Sequence, residues 1–249
     1  MGTSPVVINF SYYKSDGTLD QNKTFSDPTA IPVGQSRSYF PILGASSGFS
    51  GSAVITSSGP VAAISNILGR GATNAIIGAA SYTALSTGST KIGIPLLMKG
   101  NSGYNTWISI QNTSNATATV TIKYSDLPAV TASIPAFSQK SFNQRAEPHT
   151  QKVFSAVVTS PSPLAVSVFE ENPTTLFAYT GFPDEQKSTS PIIPLVNANN
   201  SGWQTGIQIQ NVGSASASVT VNYKPGPGTG RACTETQTIP AGQSKTYAL

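Results

Sequence analysis

Apolar and polar residues alternate through several short stretches of this chain. Ile108 and Ile110 interleave with Ser109 and Gln111, and Val120, Ile122 and Tyr124 interleave with Thr121 and Lys123. Ile207 and Ile209 alternate with Gln208 and Gln210, and Val219, Val221 and Tyr223 follow the same rule. A period of two sends alternate side chains to opposite faces of an extended strand, so each stretch reads as a strand with one buried face. Turn signals such as Asp16-Gly17, Gly59-Pro60 and Pro225-Gly226 separate the strands. The best helical candidate, residues 72–85, is rich in Gly, Ala and Thr and has no convincing helical period. The pattern predicts an all-β protein. Its expected core is Ile108, Ile110, Val120, Ile122, Tyr124, Ala156 and Val158 in mid-chain, with Ile207, Ile209, Val219, Val221 and Tyr223 as equivalents near the end.

The same pattern is written more than once. "SGYNTWISIQNTSNATATVTIKY" at 102–124 returns as "SGWQTGIQIQNVGSASASVTVNY" at 201–223, and Pro95 returns as Pro194, 99 residues on. "IPVGQSRSY", "IPAFSQKSF" and "IPAGQSKTY" surround Pro32, Pro135 and Pro240, and "SAVITSSGPVAAIS" from Ser52 matches "SAVVTSPSPLAVSV" from Ser155. "INFSY" at 8–12 matches "VTIKY" at 120–124 and "VTVNY" at 219–223. A period near one hundred residues is a whole domain. About seven short strands in that length predict an immunoglobulin-like β-sandwich.

The repeat predicts seven segments, a to g: "IPLLM", "TWISIQN", "TVTIKY", the stretch after Pro135, "FSAVVTS", "PLAVSVFEE" and the region of "LFAYTGF". Only residues 95–193 carry all seven. Residues 1–94 begin at segment c, and residues 194–249 carry a to d alone. The expected organisation is one complete sandwich between two partial ones. A partial sandwich leaves open strand edges and an uncovered core. Ile8, Phe10 and Tyr12 at one end, and Ile207, Ile209, Val219 and Val221 at the other, are therefore expected to form an assembly interface. The strands missing from one end are present at the other, which fits head-to-tail self-association into a filament or surface layer. It also fits closure of the two ends within one chain, or a piece of a longer repeat protein.

The motifs G-[WY]-x-T-x-I-x-[IV]-Q-N, V-x-[VI]-x-Y, I-P-x-G-x-S and G-F-x-G-S-A-V-[IV] carry a resemblance. They are borne by Gly202, Trp203, Thr205, Ile207, Ile209, Gln210, Asn211, Pro240, Gly242 and Ser244, with Gly48, Phe49, Gly51 and Ser52. The set resembles tandem immunoglobulin-like modules of bacterial cell-surface and exported proteins. That resemblance implies an extracellular spacer, stalk, adhesive element or assembly unit, and says little about molecular function.

Composition narrows the chemistry. Only 10% of residues are charged, which with many hydroxyl and small residues suits a secreted surface protein. The net charge of +4 comes from scattered basic residues with no run or patch, so no nucleic-acid partner is expected. No apolar run reaches transmembrane length, and "MGTSPVVINF" lacks the features of a signal peptide. Cys233 stands alone, which excludes an intrachain disulfide and leaves a strand-edge thiol or an intermolecular bridge. His149, the single histidine, lies in "AEPHT" and reads as a solvated loop residue. Glu170 and Glu171 are adjacent on a strand and face opposite ways. Asp16, Asp20 and Asn22 have a loosely calcium-like spacing but read as a hairpin turn. No catalytic residue, metal or cofactor is expected. Tyr104, Trp107 and Trp203 are the candidates for a sugar-binding platform, which would make the chain an adhesin or carbohydrate-binding spacer recognising cell-surface glycans. The competing reading has Tyr104 and Trp203 closing a sandwich end and Trp107 covering a domain junction. Sequons occur at Asn9, Asn22, Asn112, Asn115 and Asn199.

Overall fold

A computed structural model describes residues 2–226 and 230–248. The protein is all-β, built from antiparallel sheets with two single 3-10 turns. Ile8–Tyr13 (β1), Phe25–Ser26 (β2) and Ser52–Ser57 (β3) form a small sheet in the order β2-β1-β3. Ile64–Arg70 (β4) and Ile76–Thr83 (β5) form a separate hairpin, so residues 72–85 hold a strand.

The middle of the chain supplies the main sheet assembly. Its strands are Ser89–Asn101 (β6), Tyr104–Asn112 (β7), Ala118–Tyr124 (β8), Val130–Ile134 (β9), Gln139–Asn143 (β10), Val153–Asn172 (β11), Thr175–Thr180 (β12) and Phe182–Pro183 (β13). Segments e and f, expected as two strands, are one continuous strand, β11. Its first half pairs with β6 and β8, and its second half with β7 and β12. The change of partners lies at Ser160-Pro161-Ser162-Pro163, where the register against β6 shifts between Thr159 and Leu164. A proline has no N–H to give a ladder, so two of them end one set of pairings and free the strand to bend into the next. Segment d, the stretch after Pro135, is β10, and β9, which ends just before that proline, is a strand that none of the seven segments includes. Ile108, Ile110, Val120, Ile122, Tyr124, Ala156 and Val158 all lie in the resulting core, with Ile94, Leu97, Phe154 and Val166.

The last strands are Ala198–Asn200 (β14), Trp203–Gln204 (β15), Gly206–Gln210 (β16), Ala217–Tyr223 (β17), Cys233–Ile239 (β18) and Ser244–Ala248 (β19). They form three two-stranded sheets, β14-β15, β16-β19 and β17-β18, with no described strand between β16 and β17. That place corresponds to the one β11 fills in the middle sandwich. The consequences are visible residue by residue. Ile207 and Tyr223 are buried with Ile239 and Tyr247, whereas Ile209, Val219 and Val221, expected in the core, are only half-buried. Segment a is not a strand here: Ile193 is 46% exposed where its counterpart Ile94 is 0% exposed. It lacks the e strand that holds Ile94 opposite Ala156.

At the other end, the expected exposure of Ile8, Phe10 and Tyr12 is corrected. All three are buried in a core of their own unit. The reason is residues 39–49, which fold over them. Tyr39 meets the Phe10 ring edge-on at 4.7 Å, Phe49 meets Tyr12 at 5.5 Å, and the Tyr12 hydroxyl donates to Leu43 O.

A charge in the complete core has no escape, whereas the open half has a path to water. Ile110→Asp should lower stability by roughly 4 kcal/mol or more and unfold the middle sandwich. The equivalent Ile209→Asp should cost less than half as much in dilute monomeric protein, as measured by chemical denaturation. Equal losses would contradict the account of the open half.

Candidate functional site

Two joints link the three parts of the chain, and they are made from matching residues. At the first, the Ser52 hydroxyl donates to Phe137 O at 2.6 Å, and Gln111 Nε2 donates to the same carbonyl at 3.1 Å. At the second, the Ser155 hydroxyl donates to Gly242 O at 3.1 Å, and Gln210 Nε2 reaches that carbonyl at 3.4 Å and Ala156 O at 3.0 Å. Ser52 and Ser155 open the repeated e segment, Gln111 and Gln210 belong to the repeated Gln-Asn pair, and Phe137 and Gly242 occupy one position in the turn after Pro135 and Pro240. The Asn of each pair builds the turn: Asn112 Nδ2 donates to Ala116 O and Ile134 O, and Asn211 Nδ2 to Ala215 O and Ile239 O. Asn112 is thereby buried, which removes one sequon from the surface.

The turn residue has φ 57° at Phe137 and φ 76° at Gly242, and the third copy, Gly34, has φ 72°. This left-handed conformation suits glycine and costs a residue with a Cβ. Phe137 adopts it while its ring packs on Tyr13 at 5.1 Å across the first joint. The second joint adds Gln243 Nε2 to Ser125 O at 3.1 Å and Lys91 Nζ to Val212 O at 3.3 Å. It also needs Gly93, because a Cβ there would stand 2.9 Å from Gln210 Oε1.

The joints place the outer parts on opposite ends of the middle sandwich. One is held at the β9–β10 turn (Phe137), the other beside Ser125, Ser155 and Ala156. Of the expected interface residues, Ile209, Val219 and Val221 line the open half, Ile207 lies beneath them, and Ile8, Phe10 and Tyr12 are covered. The first unit has its own open edge instead. β3 pairs with β1 alone, and Ile55 is exposed where Val158, its counterpart, is buried.

The aromatic candidates differ in their surroundings. Trp107 stacks on Phe169 at 4.9 Å, in a cluster that Phe169 and Leu176 share with Ala80, Ile67 and Tyr82 of the β4–β5 hairpin, so it lies at a junction. Tyr104 stacks on Phe177 at 6.0 Å. Trp203 is 72% exposed, so it closes no sandwich end.

His149 departs from its expected solvated state. Its ring lies fully buried against Phe154 at 3.8 Å, with Nδ1 2.9 Å from Asp126 Oδ1 and Nε2 2.9 Å from Gln144 Oε1. Gln144 spends its own N–H on Phe142 O, and Asp126 also accepts from the amides of Thr150 and Gln151. The histidine thus pins residues 144–151 to the end of β8. Burial pushes the neighbouring Tyr124 hydroxyl up to about 12. Burial also raises Glu170, and burial with the nearby Glu170 raises Tyr179, whose hydroxyl donates to Leu96 O, well above the usual tyrosine value. Asp16 closes its own turn by accepting from Thr18, and Asp20 accepts from the Ser46 amide and hydroxyl. Among the described residues no three His, Cys, Asp or Glu side chains are grouped to hold a metal ion. No helix is long and apolar enough to cross a membrane. Cys233 is exposed at the start of β18.

No protein-family model and no curated protein matches the chain. Among solved structures it is similar to Thermotoga maritima 1070, with 22% identity over 40% of this chain and 98% of that one and a TM-score of 0.32. It is also similar to the Anabaena sensory rhodopsin transducer, with 26% identity over 33% of this chain and 97% of that one and a TM-score of 0.25.

Two outcomes test this geometry. Ser155→Ala combined with Gln210→Ala removes both donors to Gly242 O, at about 1 kcal/mol each, and should loosen the second joint. Proteolysis between residues 187 and 197 should accelerate several-fold while the middle sandwich melts as before; unchanged cleavage would contradict the role of the pair. In the first unit, Asp27 accepts from the Tyr39 hydroxyl, the Thr29 amide and Arg37, which lower its carboxyl to about 2. An unfolded aspartate titrates near 3.9. The stability this carboxylate contributes is therefore present above about pH 4 and lost as pH falls toward 2. Protection of the β1 amides, measured against their intrinsic exchange rate at each pH, should fall across that window, and Asp27→Asn should remove most of the pH dependence by weakening the unit at neutral pH.

Proposed function

We propose that this chain is a non-catalytic, extracellular structural subunit, built of immunoglobulin-like units and joined head to tail by strand exchange into a filament or surface layer. The observation that carries this reading is the pair of complementary ends. The C-terminal part has an apolar segment a with no strand partner, beside an open half lined by Ile209, Val219 and Val221, and the N-terminal part has an e strand, β3, with one free edge. Pairing the two covers aliphatic side chains at roughly 1.5–3 kcal/mol for each one fully buried, a gain of several kcal/mol.

Head-to-tail geometry is favoured over closure within one chain by the two joints, which attach the outer parts to opposite ends of the middle sandwich. A contact between unlike surfaces that does not close repeats indefinitely. The charge-poor composition and the resemblance to exported surface modules support an extracellular location.

Electron microscopy of the purified chain should reveal rods that lengthen with concentration. A chain ending at residue 189 should remain monomeric while its middle sandwich keeps the parent's thermal midpoint. A full-length chain that stays monomeric at high concentration would reject the proposal.

A further inference from the structure

We infer that the strand which completes the first unit is residues 192–196 of a second copy, added to the free edge of β3 with Ile193 opposite Ala53. This rests on the head-to-tail reading and specifies which segment meets which edge.

Three observations carry it. First, residues 192–196 are apolar and unpaired: Ile192 is 90% exposed, Ile193 46% and Leu195 70%. The same segment in the middle sandwich is part of β6, with Ile94 and Leu97 fully buried. Second, what buries that counterpart is known within the molecule. It is the strand beginning at Ser155, with Ile94 opposite Ala156 and Gly93 opposite Val157. The first unit holds a close copy of that strand, β3, whose Ala53 and Val54 match Ala156 and Val157. Third, β3 is already set in the matching frame. Its other edge pairs with β1 as Tyr12 opposite Ala53 and Phe10 opposite Ile55, which reproduces Tyr124 opposite Ala156 and Ile122 opposite Val158. Ser52 also docks on Phe137 as Ser155 docks on Gly242. The edge facing segment a is thus the one part of this arrangement left without a partner among the described strands. Because β1 keeps its place, the incoming segment displaces nothing.

Cysteine pairs read the register directly. Residues directly opposite in an antiparallel pair have Cα atoms about 4.5–5.5 Å apart, within disulfide reach. In a Cys233→Ser background, Ala53→Cys with Ile193→Cys should give a ladder of disulfide-linked multimers under mild oxidation. Ser57→Cys with Ile193→Cys places the partner about 13 Å further along the strand and should give none. Thermal melting of each variant checks that the middle sandwich is intact. Rods by microscopy without a ladder would overturn this pairing and leave the head-to-tail reading standing. Equal ladders from both pairs would overturn the register. A disulfide closed within one chain, or no assembly by parent and variants alike, would overturn both.

Discussion

β11 makes the middle of this protein a sandwich. It is a single strand of 20 residues, paired on four others, and its partners change at the Pro-containing stretch 160–163. Backbone N–H and C=O groups must find partners when buried, and β11 supplies them to all four strands while its Phe154, Ala156, Val158, Leu164, Val166 and Val168 lie in the core. Where its counterpart is missing, nearly the same residues behave differently. β16 and β17 stay in separate two-stranded sheets, and the "IIPLV" segment forms no strand at all. Strand formation here is a property of the partner as much as of the sequence.

That dependence explains what could be read from the chain unaided. Alternation located β7, β8, β16 and β17, because each has one clearly apolar face. The repeat matched β3 to the first part of β11, and β16 and β17 to β7 and β8, because matching segments can be counted without knowing their contacts. The continuity of β11 was not legible, since two prolines ordinarily separate strands. Nor was the burial of Ile8, Phe10 and Tyr12: a long irregular segment gives no periodic sign that Tyr39 and Phe49 will cover a sheet face. His149 was misplaced for the same reason, because its partners Asp126 and Gln144 lie in separate loops. The joint residues Ser52, Ser155, Gln111 and Gln210 had a visible signal. They are polar residues repeated in apolar-patterned segments, and fold alone does not require them.

The joints give the arrangement its mechanical sense. A hydroxyl and an amide converge on one carbonyl, presented by a turn residue in the left-handed conformation. Such a contact fixes orientation more than it adds stability, since each neutral hydrogen bond is worth only about 1 kcal/mol. The same contact recurs at both ends of the middle sandwich.

The central claim is that the exposed "IIPLV" segment becomes a strand when copies meet. Hydrogen exchange followed by mass spectrometry over a rising series of protein concentrations addresses it most directly. The account predicts that amides of residues 192–196 and of β3 exchange rapidly in dilute protein and become protected together as concentration rises, while those of β7 and β8 stay unchanged. Exchange that remains fast in both segments at every concentration would contradict it.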